Sequence, residues 1–209
     1  MCFGGHPFLT TRTSGLPKMN HPRYSQESMP GPPLDYSFKC INTIEDVLLE
    51  EPRIGVKAIK HTADGKVITQ SIRLNNNTLT ELSGFRDMIA KVLADPTQLR
   101  WIDLSFNDLS TIDTVITRYQ NMYVLNLHAN SIKELSEVDK LAYLPNLKSL
   151  TLHGNPIESE KGYRSYVISL LPGLKSFDFS GVTKQDRANA EAWKRMTTKS
   201  KRMKKKKKD

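Results

Sequence analysis

Residues Leu99-Arg-Trp-Ile102-Asp-Leu104-Ser-Phe-Asn107-Asp-Leu109 place apolar side chains at their first, fourth, sixth and eleventh positions and an asparagine at the ninth. The same arrangement returns at Met122-Tyr-Val-Leu125-Asn-Leu127-His-Ala-Asn130-Ser-Ile132 and at Leu147-Lys-Ser-Leu150-Thr-Leu152-His-Gly-Asn155-Pro-Ile157. Upstream, Ile72-Arg-Leu74-Asn-Asn-Asn77-Thr-Leu79 follows it too, with Thr69 at the first apolar place. With such apolar types at about a quarter of positions and Asn at a few per cent, a chance match is expected in roughly one of ten thousand windows. Matches that recur in register are therefore a repeat.

Apolar residues two apart put both side chains on one face of a short strand, and successive strands of a repeat stack in parallel. The asparagine follows from backbone chemistry. Where the chain leaves the strand and turns, a buried carboxamide can both donate to and accept from backbone groups of adjacent coils. Asn77, Asn107, Asn130 and Asn155 are expected to form such a ladder. The fold class is thus α/β, a leucine-rich-repeat solenoid. A curved parallel sheet lines its concave side, short helices and 3-10 turns its convex side, and both ends are capped. The interval from Asn77 to Asn107 is longer than the next two. It holds Phe85, Met88, Ile89, Val92 and Leu93 at helical spacing, which predicts one true helix ending before Asp95-Pro96.

A solenoid exposes its core at each end, so both ends need caps. Residues 34–68 read as the N-terminal cap. Ile44, Val47 and Leu48 form a helical stripe, and Val56 to Ile59 faces Val67-Ile68 across Asp64-Gly65, a hairpin signal. Residues 69–182 hold the repeats and the C-terminal cap. There Tyr163, Tyr166, Val167, Leu170 and Leu171 give a helical stripe, and Leu174-Lys-Ser-Phe177-Asp-Phe179-Ser-Gly-Val182 repeats the strand with Val182 at the asparagine position. Residues 1–33, rich in proline, are expected to be a disordered extension in which Met19 offers an alternative start. Thr183-Lys-Gln-Asp186 resembles a capping box opening a helix over 183–198, with Ala188, Ala192, Trp193 and Met196 packing back on the last coil. Residues 199–209 read as a disordered polybasic tail.

The formal net charge of +9 belongs to one end of the chain. Residues 183–209 carry twelve of the 31 Lys and Arg and only three of the 22 Asp and Glu, which leaves residues 1–182 balanced. An anionic partner would be met by Lys201, Arg202, Lys204, Lys205, Lys206, Lys207 and Lys208, whereas the body must recognise by shape and local polarity. Residues 183–209 have Trp193 alone for base stacking, which argues against RNA. The competing reading is a solubilising extension without a specific partner. Two cysteines, Cys2 and Cys40, supply neither a disulfide framework nor a thiolate metal site, and no apolar run approaches membrane length, so a cytoplasmic protein is expected. No phosphate loop, nucleophile elbow or zinc-protease motif is present, and no enzyme or cofactor is expected.

Pro32-Pro-Leu-Asp-Tyr-Ser-Phe38, Leu74-Asn-Asn-Asn77, Trp101-Ile-Asp-Leu-Ser-Phe-Asn-Asp-Leu109, Leu150-Thr-Leu-His-Gly-Asn-Pro156, Glu160-Lys-Gly-Tyr-Arg164 and Phe177-Asp-Phe-Ser-Gly-Val-Thr-Lys184 add a more specific signal. From about Pro32 to Met196 the chain resembles the family of leucine-rich repeat-containing protein 51. The resemblance implies a small cytoplasmic repeat protein without enzymatic activity, set in ciliated cells among axonemal or microtubule-associated proteins. It supplies no ligand.

Outward strand positions align in rows, and a partner is expected to meet them. The central row is Arg73, Asp103, Asn126, Thr151 and Asp178, preceded by Ser71, Trp101, Val124, Ser149 and Ser176 and followed by Asn75, Ser105, His128, His153 and Ser180. Trp101, with Phe106 and Tyr123, is the aromatic hot-spot candidate. The competing role for Trp101 is to cover neighbouring strands or to lie under the N-terminal segment. His128 and His153 occupy one position of adjacent repeats, but no third ligand stands in their row, so a metal is not expected. The function read from sequence is a non-catalytic scaffold holding a protein partner on its concave face. The alternatives are a ribonucleoprotein subunit and a regulatory subunit of a phosphatase-like enzyme.

Overall fold

The computed structural model describes residues 31–206, and the side chains of residues 31–198. Its main sheet runs β1 (Leu34–Asp35), β4 (Ser71–Arg73), β5 (Trp101–Asp103), β6 (Val124–Asn126), β7 (Ser149–Thr151), β8 (Ser176–Phe177) and β9 (Ser180–Gly181). Every neighbouring pair is parallel except β8 with β9. The register aligns Ile72, Ile102, Leu125, Leu150 and Phe177, all fully buried, so the alternate apolar residues face one core. On the convex side, α1 (Phe85–Val92) fills the long interval, and 3-10 turns at Thr114–Arg118 and Leu135–Tyr143 fill the shorter ones.

The ladder binds each coil to the next. The Asn130 carboxamide donates to the carbonyls of Leu104 and Leu127, both at 3.0 Å, and accepts from the Leu109 amide at 3.0 Å. Asn107 repeats this with Leu74, Leu104 and Leu79, and Asn155 with Leu127, Leu152 and Ile132. The Leu104 and Leu127 carbonyls therefore each receive two carboxamide donors.

The N-terminal segment is more than a cap. β1 pairs with β4, matching Leu34 to Ile72, and Leu34, Tyr36 and Ile41 are buried like Ile72, Leu74 and Leu79. Asn77 accepts from the Lys39 and Ile41 amides and donates to the Tyr36 carbonyl. Residues 34–48 thus make a further coil with Lys39 at the ladder position. The hairpin also differs from expectation. Its arms are β2 (Lys60–His61) and β3 (Val67–Ile68), while Val56 is fully exposed. The Thr62 amide donates to the Lys66 carbonyl and the Lys66 amide to the Thr62 hydroxyl, closing the loop with Gly65 at φ 83°, and the buried Val67 pairs with His61 instead of with Val56–Ile59.

At the other end the strand pattern is broken. Asp178 and Phe179 have φ of 47° and 59°, a two-residue hairpin turn that sends β9 back against β8. Phe179, placed inward by the repeat pattern, is exposed, and Asp178 and Ser180 leave the concave rows. With no coil to follow, a reversed strand covers the last edge.

α2 (Tyr163–Leu170) and α3 (Lys184–Lys206) complete the cap. α3 opens on reciprocal bonds between Thr183 and Asp186 and extends eight residues past the expected end at 198, its lysine and arginine run containing neither glycine nor proline. The expected disorder of 199–209 thus does not hold for the backbone of 199–206. The expectations for residues 1–30 and 207–209 lie outside the described residues. The inward face of α3 also differs, carrying Ala190 and Trp193 while Ala188 and Met196 are exposed. Two contacts set this rotation. Arg164 clasps Asp186 through Nε and Nη2, each at 3.1 Å, and Arg187 donates to the carbonyls of Pro172 and Leu174.

Trp193 lies against Gly162, whose φ of 84° a side chain resists and where an added Cβ would sit 2.3 Å from Trp193 Nε1. Gly162→Ala is expected to loosen α3 from the body while the repeats stay folded. The cost should be about 1–3 kcal/mol, from left-handed strain and overpacking. Hydrogen exchange should show lost protection in 184–198 and little change in β4 to β7. Equal loss in both would refute the local effect.

Candidate functional site, the concave face

Cross-strand contacts order the concave face before any partner arrives. Arg73 sits 3.5 Å from Asp35 and lays its guanidinium over the Trp101 ring at 5.0 Å. Trp101 is half-buried, and its indole Nε1 is buried without a hydrogen-bond partner among the described residues. The ring thus packs against the Arg73 side chain of the neighbouring strand. Asp103 accepts from the amide and hydroxyl of Ser105, at 3.1 and 2.6 Å, and from Asn126 Nδ2 at 3.1 Å. Thr151 Oγ1 reaches Asn126 at 3.5 Å and lies 2.8 Å from His128 Nδ1. Tyr123 lies under Arg100 at 5.5 Å.

His128 and His153 stack with ring centroids 4.7 Å apart and planes at 11°. Phe106 meets His128 edge-on at 5.2 Å, and Phe179 meets His128 and His153 at 5.4 and 5.1 Å. Among the described residues no three His, Cys, Asp or Glu side chains converge as a metal site would require. His128 and Thr151 are buried, His153 is half-buried, and Phe106 and Phe179 are 52% and 54% exposed. The surface open to a partner in this quarter is therefore phenylalanine, with the histidines beneath.

The backbone explains how those rings are presented. Phe38, Asn76, Phe106 and Ala129 have φ of 54–58°, and Gly154 has 71°. Each stands just before a ladder position, where the chain turns through the left-handed region. Gly154 enters it freely and Asn76 tolerates it, whereas at Phe38, Phe106 and Ala129 the conformation costs about 1–2 kcal/mol each. Phe38 and Phe106 accept that strain with rings largely in solvent, 63% and 52% exposed. Sequence reasoning missed Phe38 and Phe179: Phe38 stands where a repeat turns, but Phe179 occupies an inward position of the repeat pattern and is turned out only by the terminal hairpin.

His128 has its pKa lowered, first by burial and then by the nearby His153, against the opposing pull of Asp103 and Asp178. A histidine held neutral in the fold contributes stability at pH above its ordinary 6.5, and that contribution is lost as pH falls from there toward the lowered value. The urea midpoint of the protein is expected to fall between pH 7.5 and 5.5, and His128→Gln is expected to flatten that fall. An unchanged slope in the variant would refute the assignment.

The comparisons agree with this geometry. A leucine-rich repeat family model matches residues 37–208. The chain is 56% identical to leucine-rich repeat-containing protein 51 of Bos taurus over 88% of its own length and 96% of that protein. To the Homo sapiens protein of the same name it is 54% identical, again over 88% and 96%. A chain of the Drosophila melanogaster SNF/U2A' complex superposes with a TM-score of 0.56 at 19% identity, covering 72% of this chain and 94% of that one, a likeness of fold. The chain belongs to the leucine-rich repeat family and, within it, to the group of leucine-rich repeat-containing protein 51.

Proposed function

We propose that this chain is a non-catalytic scaffold that holds a protein partner on its concave face. The observation that carries this is the presentation of Phe106 and Phe179, exposed rings on left-handed backbone around the stacked histidines. Exposed aromatic surface adds little to folding, whereas preformed aromatic anchors on an ordered polar sheet lower the entropy lost on binding. Arg73, Trp101, Asp103, Tyr123, Asn126 and His153 supply the ordered surroundings, and His128 and Thr151 brace them from below. Lysines and arginines beyond Thr198 add attraction to an anionic surface. A ciliary or axonemal setting is part of the proposal and rests on the family resemblance.

The test is affinity capture from ciliated cells with three baits: the intact chain, Phe106→Ala/Tyr123→Ala, and a chain ending at Thr198. Partners kept by the truncation and lost by the double variant support the concave face. The reverse pattern would make the repeats a carrier for a basic extension. RNA that is retained at low salt and released at high salt would favour a ribonucleoprotein subunit. A phosphatase-like catalytic chain that survives high salt would favour a regulatory subunit.

A further inference from the structure

The edge of the sheet opposite the phenylalanines has a different chemistry. Arg100, Tyr123, Lys148 and Lys175 stand one residue before β5, β6, β7 and β8. Gln70, Arg100, Tyr123 and Lys148 help to line a shallow cleft of about 370 Å³, and no carboxylate is among its lining residues. Among the described residues, Arg100, Lys148 and Lys175 make no ion pair. One long edge of the concave face is therefore cationic and unneutralised, while the other carries Phe38, Phe106 and Phe179.

We propose that the partner segment is an acidic amphipathic α-helix lying across the strands, its carboxylates on the Arg100–Lys148 edge and its apolar side on the Phe106–Phe179 edge. This deepens the concave-face reading and rests on it. The dimensions agree. Five inter-strand steps from β1 to β8 at about 4.8 Å give about 24 Å, the length of about 16 helical residues. Between the two edges lie about 15–20 Å of strand at about 3.3 Å per residue, and a helix with its side chains is about 10–12 Å wide. The flexible arginine and lysine stems close the difference. A helix shows both flanks to a sheet at once, whereas an extended strand sends alternate side chains to opposite faces. A nucleic acid fits less well, because the carboxylates of Asp35 and Asp103 lie between the basic edge and the aromatic one, and residues 1–182 carry no net charge to attract phosphate.

The experiment is display selection of a 16-residue helical peptide library on the full-length protein. Selected peptides are then titrated against Arg100→Glu/Lys148→Glu and Phe106→Ala/Phe179→Ala, each first shown to keep the intact chain's circular dichroism and melting temperature. If the reversal variant fails to fold, Arg100→Gln/Lys148→Gln replaces it. The expected result is enrichment of Asp and Glu on one flank and apolar residues on the other. Affinity should fall at least tenfold on either variant pair, and lysine in place of the acidic flank should restore binding to the charge-reversed protein. Selected binders without an acidic flank that are still lost on Phe106→Ala/Phe179→Ala would overturn the acidic helix and leave the concave-face reading standing. Binders indifferent to all four substitutions, or none at all, would overturn both. A 20-nucleotide oligouridine whose binding to the intact chain is lost on Arg100→Glu/Lys148→Glu would overturn the helix in favour of nucleic acid.

Discussion

Asn130→Leu is expected to destabilise the protein by about 3–5 kcal/mol, although leucine is close in size and more apolar. The buried Leu109 amide donates to Asn130 Oδ1 and to no other group among the described residues, so the substitution leaves it unpaired at about 1–3 kcal/mol. The carbonyls of Leu104 and Leu127 lose one donor each but keep Asn107 and Asn155, so each loss is at the modest end, about 0.5–1.5 kcal/mol. For a chain of this size about 4 kcal/mol lowers the melting temperature by about 8–16 °C. Asn126→Leu is the matched control. Asn126 is a half-buried asparagine on the concave face whose carboxamide nitrogen bonds the Asp103 side chain, so its loss should cost under about 1 kcal/mol. Thermal unfolding of the two variants side by side decides the matter. Equal shifts would mean that the buried ladder bonds of Asn130 carry no more stability than the half-buried bond of Asn126, and would refute the ladder's role.

The reason this ladder could be read from the chain alone is that one residue type at one spacing satisfies the same three backbone groups in every coil. The pattern at Leu99–Leu109 therefore located the strands, the inward rows and the convex helix at Phe85–Val92. It failed where its chemistry is replaced by something local. Leu34, Tyr36 and Ile41 keep the apolar spacing of a coil, but Lys39 stands at the ladder position and Asn77 of the next coil does the bonding instead. A search keyed on asparagine passes over it. At the far end Phe177-Asp-Phe179 looks like a strand, and only the absence of a further coil shows that the chain must turn there.

The candidate site was legible in part for the same reason. Strand positions fix which residues face outward, so Arg73, Trp101, Asp103 and Asn126 lie in the expected rows. Position does not fix exposure. Trp101 is half-buried with Arg73 over its ring, and His128 lies buried, stacked on His153 and edge-on to Phe106 and Phe179. The exposed phenylalanines sit in turn positions that strand alternation does not describe. Their conspicuous feature is a left-handed backbone, which sequence spacing does not report.

Asp178→Ala is expected to cost about as much as loss of a ladder asparagine, through a different route. In the interior coils the amide after each strand finds a carbonyl on the next strand, as Leu104 does with Asn126 and Leu127 with Thr151, and Phe106 and Ala129 likewise bond His128 and His153. β7 has no such continuation, because the chain has reversed at Asp178. Its carboxylate stands in for the missing strand, accepting from the Leu152 amide at 2.7 Å, the His153 amide at 3.0 Å and the Tyr163 hydroxyl at 2.8 Å. Burial, reinforced by this carboxylate, raises the Tyr163 pKa, so that hydroxyl stays a neutral donor. Alanine would leave three donors without an acceptor and place a Cβ without polar compensation in left-handed backbone, a loss of about 3–5 kcal/mol. Asn, which tolerates that backbone, keeps one oxygen for the two amides, and the Tyr163 hydroxyl can turn to accept from its nitrogen. Asp178→Asn should therefore recover most of the stability, to within about 1–2 kcal/mol of the intact chain. Chemical denaturation of the pair separates a backbone surrogate from a charge effect. If Asn proves as damaging as Ala, the negative charge is what the last coil needs. If it does not, the hairpin turn ends the solenoid by lending its side chain as the next strand's carbonyl, and the same residue that closes the core also holds Phe179 over the stacked histidines.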